Sequence, residues 1–193
     1  MSEAVDPSVV IAGYLDRGLD FVIGVVHQVP AEKWDDPSPC EDWSARQVLG
    51  HLIGVQRIGL DIMAGKPVAP SLEPVPVGSD PAAEWDDIAG KVRETMRGVD
   101  LNREVESPRG KRTIAQGVAF PVLDLFMHSW DIGKATGVDV QIPNDVVEYA
   151  FDFFGKLPEQ MLRTAKTFGP EQRAPEGADA TTRLMAFAGR RVS

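Results

Sequence analysis

Apolar residues recur every three or four positions along most of this chain, the spacing that places them on one face of an α-helix. The first two stripes run over residues 10–26 and 48–62. The pattern predicts seven helices: 7–26, 44–65, 81–99, a fourth that begins between 113 and 120 and ends at 137, then 144–154, 157–164 and 179–188.

Start and stop signals support these helices. Asp-Pro pairs at residues 6–7 and 80–81 combine a capping carboxylate with a proline that sacrifices no helical hydrogen bond. Ser44 and Gln47 have the spacing of a capping box. The four prolines within residues 67–78 predict a stiff crossover loop, and residues 101–112 predict a short hairpin or irregular segment. The fold class predicted is therefore all-α, a bundle in a single domain over residues 1–193.

Composition narrows the choice of partners. The chain has 193 residues and a formal net charge of −9, from 20 Lys and Arg against 29 Asp and Glu. This sign repels nucleic-acid phosphates and anionic lipid. The N-terminal residues lack the pattern of a secretory signal, and no apolar run approaches the length of a membrane span. We expect a cytoplasmic protein without a nucleic-acid or membrane partner, whose apolar faces are able to form a homodimer.

Two of the three histidines occupy positions that suit a metal site. Asp124 and His128 are four residues apart on the fourth helix, so both side chains can reach one cation. His51 lies within the apolar stripe of the second helix, where an imidazole needs a polar partner. Together the three form a two-histidine, one-carboxylate set for a divalent ion. The alternatives are a solvated Asp-His pair and a core histidine with an ordinary hydrogen bond.

Other polar residues have less specific interpretations. His27 ends the first helix and is expected to cap its carbonyls. Asp131, one turn beyond His128, is expected to orient that ring, with a solvent-facing or a ligating role as alternatives. Cys40 has acidic sequence neighbours that raise a thiol pKa, and we interpret it as a small buried hydrophobe rather than a nucleophile. The tryptophans are interpreted as core or loop anchors.

Three segments resemble a known family. They are PCEDWS at residues 39–44, the His-Leu pair at 51–52, and DLFMHSWDIGKATG at 124–137. They resemble the metal-binding domain of mycothiol-dependent maleylpyruvate isomerase, and more closely the small proteins built from that domain in the DinB/YfiT-like superfamily. The likeness spans nearly the whole chain.

The resemblance implies a DinB-like four-helix bundle with long crossover loops and extra C-terminal helices. It also implies one divalent ion, zinc or alternatively nickel, with ligands at His51, Asp124 and His128. Two departures matter: the isomerase has Glu where this chain has Asp124, and the isomerase carries a further C-terminal domain. The isomerase reaction itself is therefore not transferred.

Two functions follow as hypotheses. The first is a metal-dependent enzyme of thiol-transferase or isomerase type, acting on a small molecule with a low-molecular-weight thiol such as mycothiol. The second is a non-catalytic module in which the metal is structural or sensory. The same ligand set also occurs in iron oxygenases, but those usually have β-barrel scaffolds, which this helical sequence does not favour.

Overall fold

Helices account for most of the structure, a computed structural model that describes residues 6–64, 66, 71, 73–106, 110–164 and 167–192. The α-helices in this part of the chain are α1 (Pro7–Val26), α2 (Ala45–Met63), α3 (Pro81–Met96), α4 (Ile114–Thr136), α5 (Asn144–Gly155), α6 (Glu159–Leu162) and α7 (Ala180–Phe187). The predicted all-α fold class is confirmed. None of the helices in these ranges is both long and apolar enough to cross a membrane.

The first four helices form the bundle. Helices α1 and α2 each pack against both α3 and α4, so the four helices surround a common core. The apolar stripes face inward: Leu19 and Val22 of α1, Leu49 of α2 and Leu125 of α4 are almost completely buried. Helices α5 and α7 pack against each other as the additional C-terminal elements.

Most helix starts follow the sequence signals. The carboxylates of Asp6 and Asp80 accept from the amides of Ser8 and Ala83 at 2.9 and 3.1 Å. Ser44 and Gln47 form the predicted reciprocal capping box. These caps satisfy amides that have no partner within the helix, so they fix where each helix begins.

Other boundaries differ from the prediction. Helix α3 ends at Met96 rather than 99, and α6 spans only Glu159–Leu162 rather than 157–164. The fourth helix begins at Ile114, within the predicted range of 113 to 120, because Thr113 and Gln116 form a second capping box that the sequence analysis did not identify. The predicted stop of α2 at residue 65 lies outside the described residues, as do residues 67–70 and 72 of the crossover loop.

A short hairpin precedes α4, and a glycine in the left-handed backbone conformation ends it. Strands β1 (Glu104–Val105) and β2 (Arg112–Thr113) pair antiparallel immediately before it, as residues 101–112 predicted. Gly137 ends the helix with φ of 83°, a conformation in which a residue without Cβ has no steric penalty. Pro121 lies inside α4 and has no N–H to donate to the carbonyl of Gly117.

Candidate metal centre

The packing of α2 against α4 brings the two interior histidines together. The ring centroids of His51 and His128 are 4.9 Å apart in an edge-on arrangement. Their exposed fractions are 5% and 8%. The carboxylate of Asp124 joins them, and one potential ligand atom from each of the three residues lies within 4.8 Å of the others. Two residues spaced four apart on α4 and one histidine of α2 therefore form a single cluster of potential metal ligands.

The donor chemistry of this cluster fits a divalent metal ion. Two imidazoles and one carboxylate are usual ligands for zinc, and three protein ligands leave a position for water or substrate. Burial raises the pKa of Asp124, while the charges of His128 and Arg190 act in the opposite direction. A cation bound among these atoms would favour the ionised carboxylate, because a nearby positive charge lowers a carboxyl pKa.

Asp131 orients the His128 ring. Its Oδ2 lies 2.9 Å from Nδ1 of His128, and its side chain is completely buried. A histidine that donates through one ring nitrogen presents the other to a metal, so Nε2 is the nitrogen left for coordination. This contact supports the orienting role predicted for Asp131 and not the solvent-facing alternative.

Arg190, near the C-terminus, completes a buried ion pair. Its Nη2 donates to Oδ2 of Asp131 at 2.9 Å, and its Nε lies 3.3 Å from Oδ1. Burial alone would raise the pKa of Asp131, but the charge of Arg190 and the contacts with His128 hold it well below its ordinary value. Asp131 is thus held as a carboxylate behind the candidate ligand.

Cys40 belongs to the same polar network, contrary to its interpretation as a small hydrophobe. Its thiol donates to Oδ2 of Asp131 at 3.1 Å, and Sγ is 3.7 Å from both Nδ1 of His128 and Nη2 of Arg190. Burial and then the charge of Asp131 raise the pKa of this thiol, with Arg190 opposing. The sequence suggested the adjacent acidic residues as the cause, whereas the structure brings the charges from α4 and the C-terminal segment.

Cys40, His128 and Asp131 form a second group whose potential ligand atoms lie within the same 4.8 Å limit. In this group His128 contributes a nitrogen that already contacts Asp131, and Asp131 is already paired with Arg190. Its carboxylate is therefore committed to an ion pair, whereas no hydrogen bond or ion pair to Asp124 is seen within the described part of the chain. This difference favours His51, Asp124 and His128 as the metal ligands.

A cavity of about 1430 Å³ opens onto the cluster. The three candidate ligands line its wall together with Cys40 and Trp43. The Trp43 ring lies 5.1 Å from the His51 ring, centroid to centroid. The sequence predicted a core or loop-anchoring role for Trp43, because the path of the loop before α2 cannot be read from helical periodicity. A small molecule in this cavity has access to all three ligands.

The third histidine does not take part. The His27 ring lies at the surface and its Nε2 contacts both carboxylate oxygens of Asp86, at 2.9 and 3.1 Å. The predicted capping of helix carbonyls by this ring is therefore replaced by a pairing with α3. Sequence alone does not show that α3 passes beside the end of α1.

This all-α bundle, with a histidine and carboxylate cluster between α2 and α4, has the DinB-like fold. The sequence matches the family described as the mycothiol maleylpyruvate isomerase N-terminal domain over residues 15–133. The chain belongs to this family.

Sequence similarity to individual proteins extends beyond the segment that the family model matches. An uncharacterized protein of Mycobacterium tuberculosis strain H37Rv is 23% identical over 179 residues, covering 91% of this chain and 95% of the relative. A second uncharacterized protein of that strain is 22% identical over 151 residues, covering 69% of this chain and 58% of the relative. A crystal structure of a mutant mycothiol-dependent maleylpyruvate isomerase matches with a TM-score of 0.53 and 15% identity, covering 82% of this chain and 68% of that one. At this identity the structural match establishes the fold.

Proposed function

We propose that this protein binds one divalent metal ion, zinc or alternatively nickel, through His51, Asp124 and His128. We further propose that it is a metal-dependent enzyme of thiol-transferase or isomerase type acting on a small molecule. The observation that carries the proposal is the convergence of three donor side chains, within 4.8 Å of one another, on the wall of a large cavity. Ordinary core histidines do not require a carboxylate and an open cavity beside them.

The surrounding residues have defined tasks. When bound, a divalent ion with an open position lowers the pKa of a thiol or water and supplies a nucleophile near neutral pH. The Asp131 carboxylate accepts a hydrogen bond from the Nδ1–H of His128 and fixes the direction of that ring, while Arg190 keeps Asp131 ionised. Trp43 covers one side of His51 and limits access of bulk water to that ring.

The family supports a thiol co-substrate. Its name describes an isomerase that depends on mycothiol, so a low-molecular-weight thiol such as mycothiol is the co-substrate we propose for this chain. The isomerase resembled by the sequence has Glu where this chain has Asp124. The carboxylate here is one methylene shorter, so we expect its metal affinity or preference to differ.

The remaining expectations concern the whole molecule. With a net charge of −9, we infer that the protein has no nucleic-acid partner, and a cytoplasmic location stays a prediction. A single domain over residues 1–193 and a homodimer in solution also stay predictions. Size-exclusion chromatography with light scattering tests the dimer.

The metal assignment is tested by elemental analysis of untagged protein purified without chelator. We expect about one divalent ion per chain, and loss of that ion in His51→Ala. The matched control is His27→Ala, which removes an exposed imidazole that contacts Asp86 of α3 and does not line the cavity. Stoichiometric metal in purified His51→Ala would show that the ligand assignment is wrong.

The enzymatic part needs a second assay. The metal-loaded protein is incubated with mycothiol and a panel of small electrophiles, and thiol consumption is followed against His51→Ala. Thiol consumption that depends on His51 supports a transferase, whereas isomerisation of a substrate that requires both thiol and His51 but consumes no net thiol supports an isomerase. Full metal content without any thiol chemistry, together with a large loss of thermal stability on chelation, would instead identify a structural metal module.

A further inference from the structure

Three arginines of the part of the chain that the structure describes line the cavity, and two of them are held by other groups. Arg190 is paired with Asp131 as described. Arg163 donates to two backbone carbonyls and lies 3.5 and 3.6 Å from the carboxylates of Glu159 and Glu171. Neither guanidinium is available to a ligand without breaking these contacts.

The third, Arg112 of β2, has no such commitment. Its Nε is buried and makes no hydrogen bond, and its guanidinium forms no ion pair with a carboxylate of the described residues. Buried polar groups almost always have a partner, and an unsatisfied donor on a charged group is especially costly. A bound ligand is the natural source of the missing acceptor.

The position of Arg112 connects it to the candidate metal centre. Its Nε lies 3.6 Å from where a Cβ of Gly117 would stand, so the guanidinium covers that glycine on α4. Gly117, Pro121, Asp124 and His128 follow one another at helical spacing, and all four line the cavity. Gly117 and Asp124 are two turns apart, about 10 Å along the helix. The guanidinium and the proposed metal ligands therefore lie at opposite ends of one strip of the cavity wall.

We propose that Arg112 binds a carboxylate group of the small-molecule ligand, at the end of the molecule remote from the metal ligands. The claim that the other end of the ligand lies at the metal ligands rests on the proposed function. The carboxylate site itself rests on the observations of Arg112. A guanidinium binds a carboxylate through parallel, charge-assisted N–H bonds, in which Nε takes part.

The charge of the cavity favours a carboxylate over a phosphate. Among the described residues, six acidic side chains line it, against three arginines; the acidic residues are Glu41, Asp42, Glu73, Asp124, Glu159 and Glu171. A single free guanidinium balances one negative charge, and a dianion would meet net repulsion from the remaining carboxylates. The proposed ligand is therefore a small organic acid that presents one carboxylate to Arg112.

The test uses the Nε–H resonance of Arg112 in the full-length protein. Arginine side chains are labelled with nitrogen-15, and the signal is assigned by its loss in Arg112→Lys. Butyrate and benzoate, which each carry one negative charge, are titrated against their neutral amides, with inorganic phosphate as a third arm. We expect both acids to shift the Arg112 signal, the amides to leave it unchanged, and phosphate to bind more weakly.

A matched pair of variants separates site binding from net charge. Arg112→Gln is expected to weaken binding of the acids at least about tenfold. Arg97→Gln removes the same charge from an exposed residue that follows α3 and does not line the cavity, and it is expected to bind as the wild type does. If Arg112→Gln fails to fold, the wild-type Nε titration still decides the question.

Several results would overturn the proposal. These are the absence of a shift with either acid, equal shifts with acid and amide, unchanged binding in folded Arg112→Gln, or stronger binding of phosphate. The titrations are run with and without zinc. Acid binding that persists while His51→Ala retains its metal would reject only the metal assignment. If the Arg112 Nε–H resonance does not shift in a protein that binds metal through His51 as expected, only the carboxylate site is rejected.

Discussion

Arg190→Met removes the cation that balances a completely buried carboxylate. Asp131 has no exposed surface, and among the described residues Arg190 is the permanently charged group that pairs with it, through hydrogen bonds of 2.9 and 3.3 Å. Methionine retains much of the apolar stem of the side chain. The variant therefore reports mainly the loss of charge and hydrogen bonding around Asp131.

Breaking a buried ion pair by removing one partner costs about 3–5 kcal/mol. For a domain of this size each 1 kcal/mol lowers Tm by about 2–4 °C, so we expect a fall of roughly 6–20 °C. Urea unfolding and thermal melting are measured on metal-free protein, because a bound ion would add its own stabilisation. Arg183→Met is the control, since Arg183 is exposed on α7 and its guanidinium bonds only the carbonyl of Ala178.

A double variant separates the charge from the packing. Asp131→Asn combined with Arg190→Met leaves no unbalanced carboxylate, so it is expected to be more stable than Arg190→Met alone. The reasoning is refuted if Arg190→Met is no less stable than Arg183→Met. It is also refuted if the two substitutions are additive. In that case the double variant is less stable than Arg190→Met by the same free energy by which Asp131→Asn is less stable than the wild type.

Three further effects are expected. Ser44→Ala, which removes the capping box of α2, should lower the free energy of unfolding by about 1 kcal/mol in urea titrations; a change below about 0.3 kcal/mol would contradict the role of the cap. Gly133→Ala places a Cβ 2.6 Å from the carbonyl oxygen of Val138, so overpacking should cost about 1–3 kcal/mol, and an unchanged urea midpoint would contradict it. Because the folded-state pKa of Asp131 is lowered, its contribution is present above the unfolded pKa of about 3.9 and is lost as pH falls through the folded value; stability curves of Asp131→Asn should therefore be flatter than those of the wild type below about pH 4, and parallel curves would contradict it.

Local signals account for most of the fold that the sequence predicted. The caps at Asp6, Ser44 and Asp80 depend on residues two or three positions away, so they can be read directly from the chain. Helix ends depend more on packing. Met96 ends α3 three residues before the apolar stripe does, because the following residues belong to the approach to the hairpin.

Helical periodicity predicted the part of the candidate site that lies on single helices. Spacing placed Asp124 and His128 on one face, and the apolar stripe directed His51 inward. The contacts of Arg190 with Asp131 and Cys40 span 59 and 150 residues, and no local pattern carries information across such separations. Similarly, the raised pKa of Cys40 comes from burial and from Asp131, which only the folded chain brings together.

The central claim is tested most directly by crystals grown with zinc and measured at the zinc absorption edge. The account predicts one strong anomalous peak whose nearest protein atoms belong to His51, Asp124 and His128. A peak bounded by Cys40 and Asp131, or no peak at this end of the cavity, would contradict it.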